Sequence, residues 1–293
     1  MSDDEPSPRE DALPTGEPDR LIEVQPEVGR RTLLSGAIVG VAAIAVGVRP
    51  WRDSSLSYRE LPNLPPFREL VSDGAVSTAS LAFAGLSDGT VEPDLVARVA
   101  LIRADPCAAL FGGSSDDGMT QIAYFSDFNC PYCRVLEGEL DRVLRADPNL
   151  LLVRHELPLL GGASASAARA VLAADLQGQY DALKARLLRA GLITDEPYLR
   201  AVTPALGIDP DRLVRDMASP AIADRLLTSR ALGQAFGIVG TPALVVGRTL
   251  VMGAVSARTV ERVVRDDRAT NSAPCDGRKG PTLESQPGIA ENG

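Results

Sequence analysis

The chain has 293 residues, enough for one sizeable domain with appendages or at most two small ones. Apolar residues make up 45% and aromatics 4%, an ordinary globular mix. A net charge of -9, with no Lys/Arg run interleaved with aromatics, excludes nucleic acid as a partner, since that role needs a basic face.

Residues 1–29 hold nine acids and two arginines, with several prolines and little apolar clustering, and read as a disordered acidic tail. Arg30-Arg31 then precede Thr32 to Val48, seventeen residues without a charge, so 30–49 reads as a membrane or export segment. Two readings stay open. The run is a permanent anchor, or it is a twin-arginine-type export signal, which GRRTLLSG resembles, with Gly29 where such signals often carry Ser or Thr. Both place the folded part in the periplasm. Residues 50–66 contain LPNLPP and read as an extended linker.

Residues 67–118 form an N-terminal extension, with a strand candidate from Thr78 to Phe83 and a helix around Leu95 to Ile102. The loop GGSSDDG closes it. The main domain is expected over 119–267. It opens with the strand QIAYF (121–125), a helix from Cys130 to Arg145, and the apolar strand Leu150 to Val153. Alanine-rich helical sequence runs from about 164 to 236, broken near Gly191, Pro204 and Ser219-Pro220. Two short strands, Ala243 to Val246 and Thr249 to Met252, flank Gly247-Arg248 as a hairpin, and Ser256 to Asp266 closes as a helix. Residues 268–293 read as a disordered tail around Cys275.

The chemistry lies in Cys130-Pro131-Tyr132-Cys133, at a strand-to-helix junction. Pro131 fits the first helical turn, where no intrahelical N–H is lost. Leu136, Leu140, Val143 and Leu144 recur at i, i+4, i+7 and i+8, and Cys133 extends that buried stripe, while Cys130 lies at the open end of the helix. Disulfide exchange asks for this asymmetry: an accessible thiolate stabilised by free N–H groups, and a shielded second thiol that resolves the mixed disulfide. Cys130 is therefore the expected nucleophile and Cys133 the resolving thiol, with Asp127 opposing thiolate formation. Zinc binding would need further ligands, and only Cys107, Cys275 and His155 are on offer, none in paired spacing, so no metal or other cofactor is expected. A purely structural bond across so short a loop would restrain little of the unfolded chain.

Three segments carry a family resemblance: FSDFNCPYC (125–133), RHELPLLGGASASAARAVLAA (154–174) and GIVGTPALVVG (237–247). Together they resemble the DsbA-like branch of the thioredoxin superfamily. The resemblance implies an α/β thioredoxin-like fold with a helical insertion at about 164–236. It also implies a cis Pro242 facing the cysteines, and a Thr241 backbone exposed for pairing with a substrate chain. Pro131 and Tyr132 would join that surface. Tyr132 stands where strong oxidases carry histidine, and Tyr124 where some members carry a buried acid. His155 is expected to be structural.

Cys107 and Cys275 remain: joined to each other as a structural disulfide, free, or paired with other chains. The expected partners are exported proteins with thiols or disulfides and a membrane or periplasmic redox partner. The activity expected is protein disulfide oxidation, reduction or shuffling. A reductase for a dedicated partner, as in cytochrome c maturation, and a non-catalytic holdase are the alternatives.

Overall fold

The computed structural model describes residues 55–72, 74–78, 92–112, 119–270 and Cys275. The 1–29 tail and the 30–49 apolar run lie outside the described residues. Among the described residues no helix is long and apolar enough to cross a membrane.

The chain order is β1 (Tyr58–Glu60), β2 (Arg68–Leu70), β3 (Ser77–Thr78), α1 (Pro93–Ala104), α2 (Pro106–Phe111), β4 (Thr120–Ser126), α3 (Pro131–Ala146) and β5 (Leu150–Glu156). Then come α4 (Gly162–Asp175), α5 (Tyr180–Arg189), α6 (Glu196–Val202), a 3-10 turn at Pro204–Leu206, α7 (Pro210–Met217) and α8 (Pro220–Phe236). The last elements are β6 (Gly240–Thr241), β7 (Ala243–Val246), β8 (Thr249–Met252) and α9 (Ala257–Ala269). One mixed sheet has the order β1-β2-β8-β7-β4-β5, and β3 pairs with β6 in a separate two-stranded sheet.

Strand β4 is buried along its whole length, and its period-2 alternation feeds two cores. Ile122 and Tyr124 point to one face, where Leu136, Leu140 and Val143 of α3 meet Val260, Val263 and Val264 of α9. Ala123 and Phe125 point to the other, against Val99, Ile102, Leu110, Phe111, Ala231, Leu232 and Phe236. β7 alternates likewise, Leu244 and Val246 to the first face, Ala243 and Val245 to the second.

Four differences from the sequence expectations have physical causes. The stretch 50–66 is more than a linker: residues 58–60 form β1, and Leu64 turns inward to the second core. Its prolines break the chain into turns, with Leu64 N bonding Leu61 O and Phe67 N bonding Leu64 O, and the leucines at those turns face the sheet. The 67–118 extension is part of the main sheet, since β2 pairs in parallel with β8. There the buried Arg68 bonds Thr249 Oγ1 at 3.0 Å and covers the Tyr58 ring. Of the strand expected over 78–83, Thr78 lies in β3, and residues 79–83 lie outside the described residues.

The insertion is two things. Helices α4 to α7 enclose their own core around Val171, Leu183, Leu187, Leu199 and Leu213, whereas the end of α8 returns to cover the sheet. Gly178 (φ 70) and Gly207 (φ 71) add breaks there, because only glycine takes that left-handed backbone without strain. Helix α9 runs three residues past Asp266, to Ala269, in the reach of the expected tail. Arg268 holds it, bonding Thr120 Oγ1 at 2.8 Å, Asp147 Oδ2 at 2.6 Å and Asn149 O at 3.0 Å.

Candidate active site

Cys130 is the N-cap of α3, and Pro131 opens the first turn. The Cys133 N–H donates to the Cys130 sulfur at 3.1 Å, so the sulfur takes the place an oxygen usually takes at a helix start. Both thiols of this pair are free. In its protonated form the Cys130 thiol also donates to Thr241 O at 3.2 Å, which brings the Gly-Thr-Pro loop onto the cysteine. The Thr241–Pro242 peptide is cis.

The two sulfurs are set apart electrostatically. The Cys130 pKa is pushed down to about 5, first by the hydrogen bond from the Cys133 thiol. Burial opposes this, and the hydroxyls of Ser77 and Thr241 and the Cys133 amide add to the lowering. Burial pushes the Cys133 thiol up, and the neighbouring Cys130 sulfur raises it further. The buried Thr241 hydroxyl makes no hydrogen bond in the structure, and it is among the groups that lower the pKa of both cysteines. One member of the pair is thus an anion at neutral pH and the other a protonated thiol.

Asp127 does a different job from the one its spacing suggested. Its carboxylate accepts from Asn129 N at 2.7 Å, Leu159 N at 2.6 Å, Leu160 N at 2.8 Å and Ser164 Oγ at 2.5 Å. It ties the loop before Cys130 to the β5–α4 link, and its lone pairs are used there rather than aimed at the sulfur.

A second difference concerns access. Cys130 lies at the open end of its helix, and Tyr132 beside it is 40% exposed, yet Cys130 itself is 0% exposed. Strand β3 lies along the Gly240–Thr241 edge that meets it. Ser77 pairs with Thr241 and Thr78 with Gly240, antiparallel, so the Thr241 edge expected to be open is occupied by the chain's own backbone. A Cβ at position 240 would lie 2.7 Å from Ser77 O, so only glycine admits this approach.

Behind Cys133 lies a small cavity of about 10 Å³, room for one water at most, lined among others by Tyr124, Phe128, Cys133, Glu137 and Lys184. Tyr124 donates its hydroxyl to Cys133 O at 3.0 Å and so supports the first turn of α3. Lys184 pairs with Glu137, and the Tyr180 hydroxyl donates to the fully buried Glu156, whose carboxyl burial raises to about 7. His155 sits away from the sulfurs, stacked on Phe125 with its Nε2 2.9 Å from Leu110 O, and burial lowers its pKa to about 4.

Cys107 and Cys275 form a disulfide that joins α2 to the chain beyond α9, with Cα atoms 5.2 Å apart. Among the described residues no group of three or more His, Cys, Asp or Glu is placed to hold a metal.

Sequence reading missed Ser77 and the Glu137–Lys184 and Tyr180–Glu156 pairs. Glu156 stood in the quoted Glu-Leu-Pro segment. Ser77 and Lys184 carry no local signal, because their roles come from elements distant in the chain.

A helix-capping cysteine pair beneath a cis-proline loop, on a mixed sheet with a helical insertion, defines a thioredoxin-like domain. Residues 121–265 match the DSBA-like thioredoxin domain family, and the chain belongs to that family. A thioredoxin-like oxidoreductase from Silicibacter pomeroyi is 34% identical, with a TM-score of 0.49, the match covering 55% of this chain and 97% of that one. The thiol–disulfide exchange protein α-DsbA2 of Wolbachia pipientis is 22% identical, with a TM-score of 0.48, covering 60% and 98%. A Na(+)/H(+) antiporter NhaA from Herminiimonas arsenicoxydans is 31% identical over 166 residues. That stretch is 56% of this chain but only 26% of the antiporter's length.

Proposed function

We propose that this protein is a thiol–disulfide oxidoreductase of exported proteins, working through Cys130 and Cys133. The observation that carries the reading is the division between the sulfurs: one a helix-capping anion with a pKa of about 5, the other buried and held protonated three residues on. As a reductant, the Cys130 thiolate attacks a substrate disulfide, one S–S bond forms as another breaks, and a substrate thiolate leaves. Cys133 then loses its proton and attacks Cys130, closing the internal disulfide and releasing the second substrate thiolate. As an oxidant, the sequence runs backwards, and the pair ends reduced.

The low Cys130 pKa supports the oxidising direction. A stabilised thiolate favours the reduced protein, which makes its disulfide the stronger oxidant. Tyr132 supplies no cation, but the Cys133 N–H and the Ser77 and Thr241 hydroxyls act in place of the histidine. The reading rests on export of the chain to an oxidising compartment, which the Cys107–Cys275 bond supports. A membrane or periplasmic partner would re-oxidise the pair.

The test is the reduction potential of the Cys130–Cys133 couple together with refolding of reduced ribonuclease. A potential near the roughly -120 mV of strong oxidases, with fast ribonuclease oxidation, is the expected result. A value near thioredoxin's roughly -270 mV, with insulin reduction, would transfer the reading to a reductase serving a dedicated partner. Full activity of Cys130→Ser in cells would instead leave only a holdase.

A further inference from the structure

Strand β3 has no place in the main sheet and buries no large side chain, yet it pairs with the Gly240–Thr241 edge, whose Thr241 carbonyl lies 3.2 Å from the reactive sulfur. Residues 74–78 are exposed or half-buried throughout. Backbone contacts hold them at two points. Ser77–Thr78 pair with Gly240–Thr241, and Ala75 bridges Ala254, whose N–H donates to Ala75 O at 2.9 Å. Beside that bridge Gly74 abuts Gly253 so closely that a Cβ on Gly74 would lie 2.5 Å from Met252 O. At the inner end Ser77 stands opposite Thr241, whose carbonyl lies 3.2 Å from the Cys130 sulfur, and the Ser77 hydroxyl is among the groups that lower the Cys130 pKa.

We propose that residues 75–78 are a built-in pseudo-substrate, lying along the Gly240–Thr241 edge as an extended substrate chain would, with the Ser77 hydroxyl where the substrate's cysteine sulfur belongs. The proposal rests on Cys130 being the nucleophile, and it adds the regulation and register of that same site. A serine here is inert, because an oxygen cannot form the mixed disulfide, so the segment closes the thiol without trapping it.

Release follows from how the segment is held. Hydrogen bonds to an edge are replaced one for one when another extended strand takes the same edge, and no large apolar side chain is left exposed when 75–78 departs. An incoming segment therefore competes on equal backbone terms and adds a covalent bond that Ser77 cannot offer. The register sets the substrate's geometry: its cysteine opposite Thr241, its next residue opposite Gly240, where the missing side chain leaves room. While the strap is on, Cys130 is closed to small oxidants and alkylating agents. Apparent affinity for substrate is reduced by the fraction of molecules in which the strap is seated.

Two experiments on the full chain test this. In a Cys133→Ser background, iodoacetamide labelling of Cys130 is timed at a pH where the thiolate is complete. The parent should react slowly, and Thr78→Pro, which removes a backbone donor opposite Gly240, should speed labelling at least tenfold. Equal rates would overturn the proposal. Ser77→Cys in the same background, treated with oxidised glutathione, decides the register even where Thr78→Pro does not fold. Cys130 displaces one glutathione thiol, the introduced thiol displaces the second, and a 77–130 disulfide is found by non-reducing peptide mapping. Its absence would overturn the placement of Ser77. Failure of the proposed function reads differently: Thr78→Pro then labels fast, but the otherwise unaltered chain oxidises no ribonuclease. Failure of the strap alone leaves the chain active with Cys130 already open.

Discussion

The molecule holds two pairs of cysteines, and their surroundings give them opposite chemistry. Cys107 and Cys275, 168 residues apart in sequence, meet in the apolar core between the sheet and its covering helices, where they are bonded. Cys130 and Cys133 stand one helical turn apart, unbonded, with one sulfur capping a helix and accepting from the Cys133 amide. The first pair closes a long loop and so restrains the unfolded chain. The second restrains almost nothing, and its reactivity comes from stabilising one thiolate while denying ionisation to the other. Sulfur chemistry here follows from local charge and from loop length, not from the residue type.

The comparison breaks most sharply if both pairs respond alike to removal. Cys130→Ser should abolish disulfide exchange while the chain stays folded, checked by ribonuclease oxidation and circular dichroism. Replacing Cys107 and Cys275 together by alanine should do the reverse. Exchange activity at low temperature persists, and stability falls by roughly 4 kcal/mol for so long a loop. The melting temperature should then drop on the order of 10 °C. A redox pair at 107 and 275 would instead show itself as lost turnover with little change in melting.

Titration sharpens the comparison further, because the bonded pair does not titrate and the free pair does. The Cys130 pKa, near 5 in the reduced fold, lies below that of an unfolded thiol, near 8.5. The stabilisation it gives the reduced protein is complete above the unfolded value and is lost as pH falls through about 5. Cys133 stays protonated across this window. Reduction therefore takes up one proton above pH 5 and two below it. The potential of the couple should change by about 30 mV per pH unit above the break and about 59 mV below it, measured against glutathione. A single slope of about 59 mV through neutral pH would mean that Cys130 is an ordinary thiol.

Much of this was legible in the sequence, for reasons that vary with the element. The stripe Leu136, Leu140, Val143 behind Cys133 assigned the two sulfurs their sides, because helix periodicity alone decides which residue faces a core. The hairpin Ala243–Val246 and Thr249–Met252 was bounded by Gly247, whose φ of 53 the turn requires. What could not be read came from long-range placement. Asp127 looked like a charge beside the thiol, but its partners are Leu159, Leu160 and Ser164, which no spacing announces. Leu64 and Ser77 sit in Pro-rich or unpatterned sequence, and their burial or pairing is decided by a sheet built mostly from residues beyond 119.

The smallest effect expected is also the one closest to the sulfurs. Thr241→Val keeps the shape of the side chain and the backbone pairing, and removes only the hydroxyl. That hydroxyl is buried, makes no hydrogen bond in the structure, and lowers the pKa of both cysteines. Its loss should move the Cys130 midpoint upward from about 5, followed by the ultraviolet absorbance of the thiolate, and should make the disulfide a weaker oxidant. The Cys133 thiol bond is the larger influence on Cys130, so the shift should be partial and turnover should persist at neutral pH. Stability should change little, since a valine in that place leaves no buried donor unmet. An unmoved midpoint would assign the low pKa to the helix end and the Cys133 thiol alone, and would reduce the role of position 241 to its backbone.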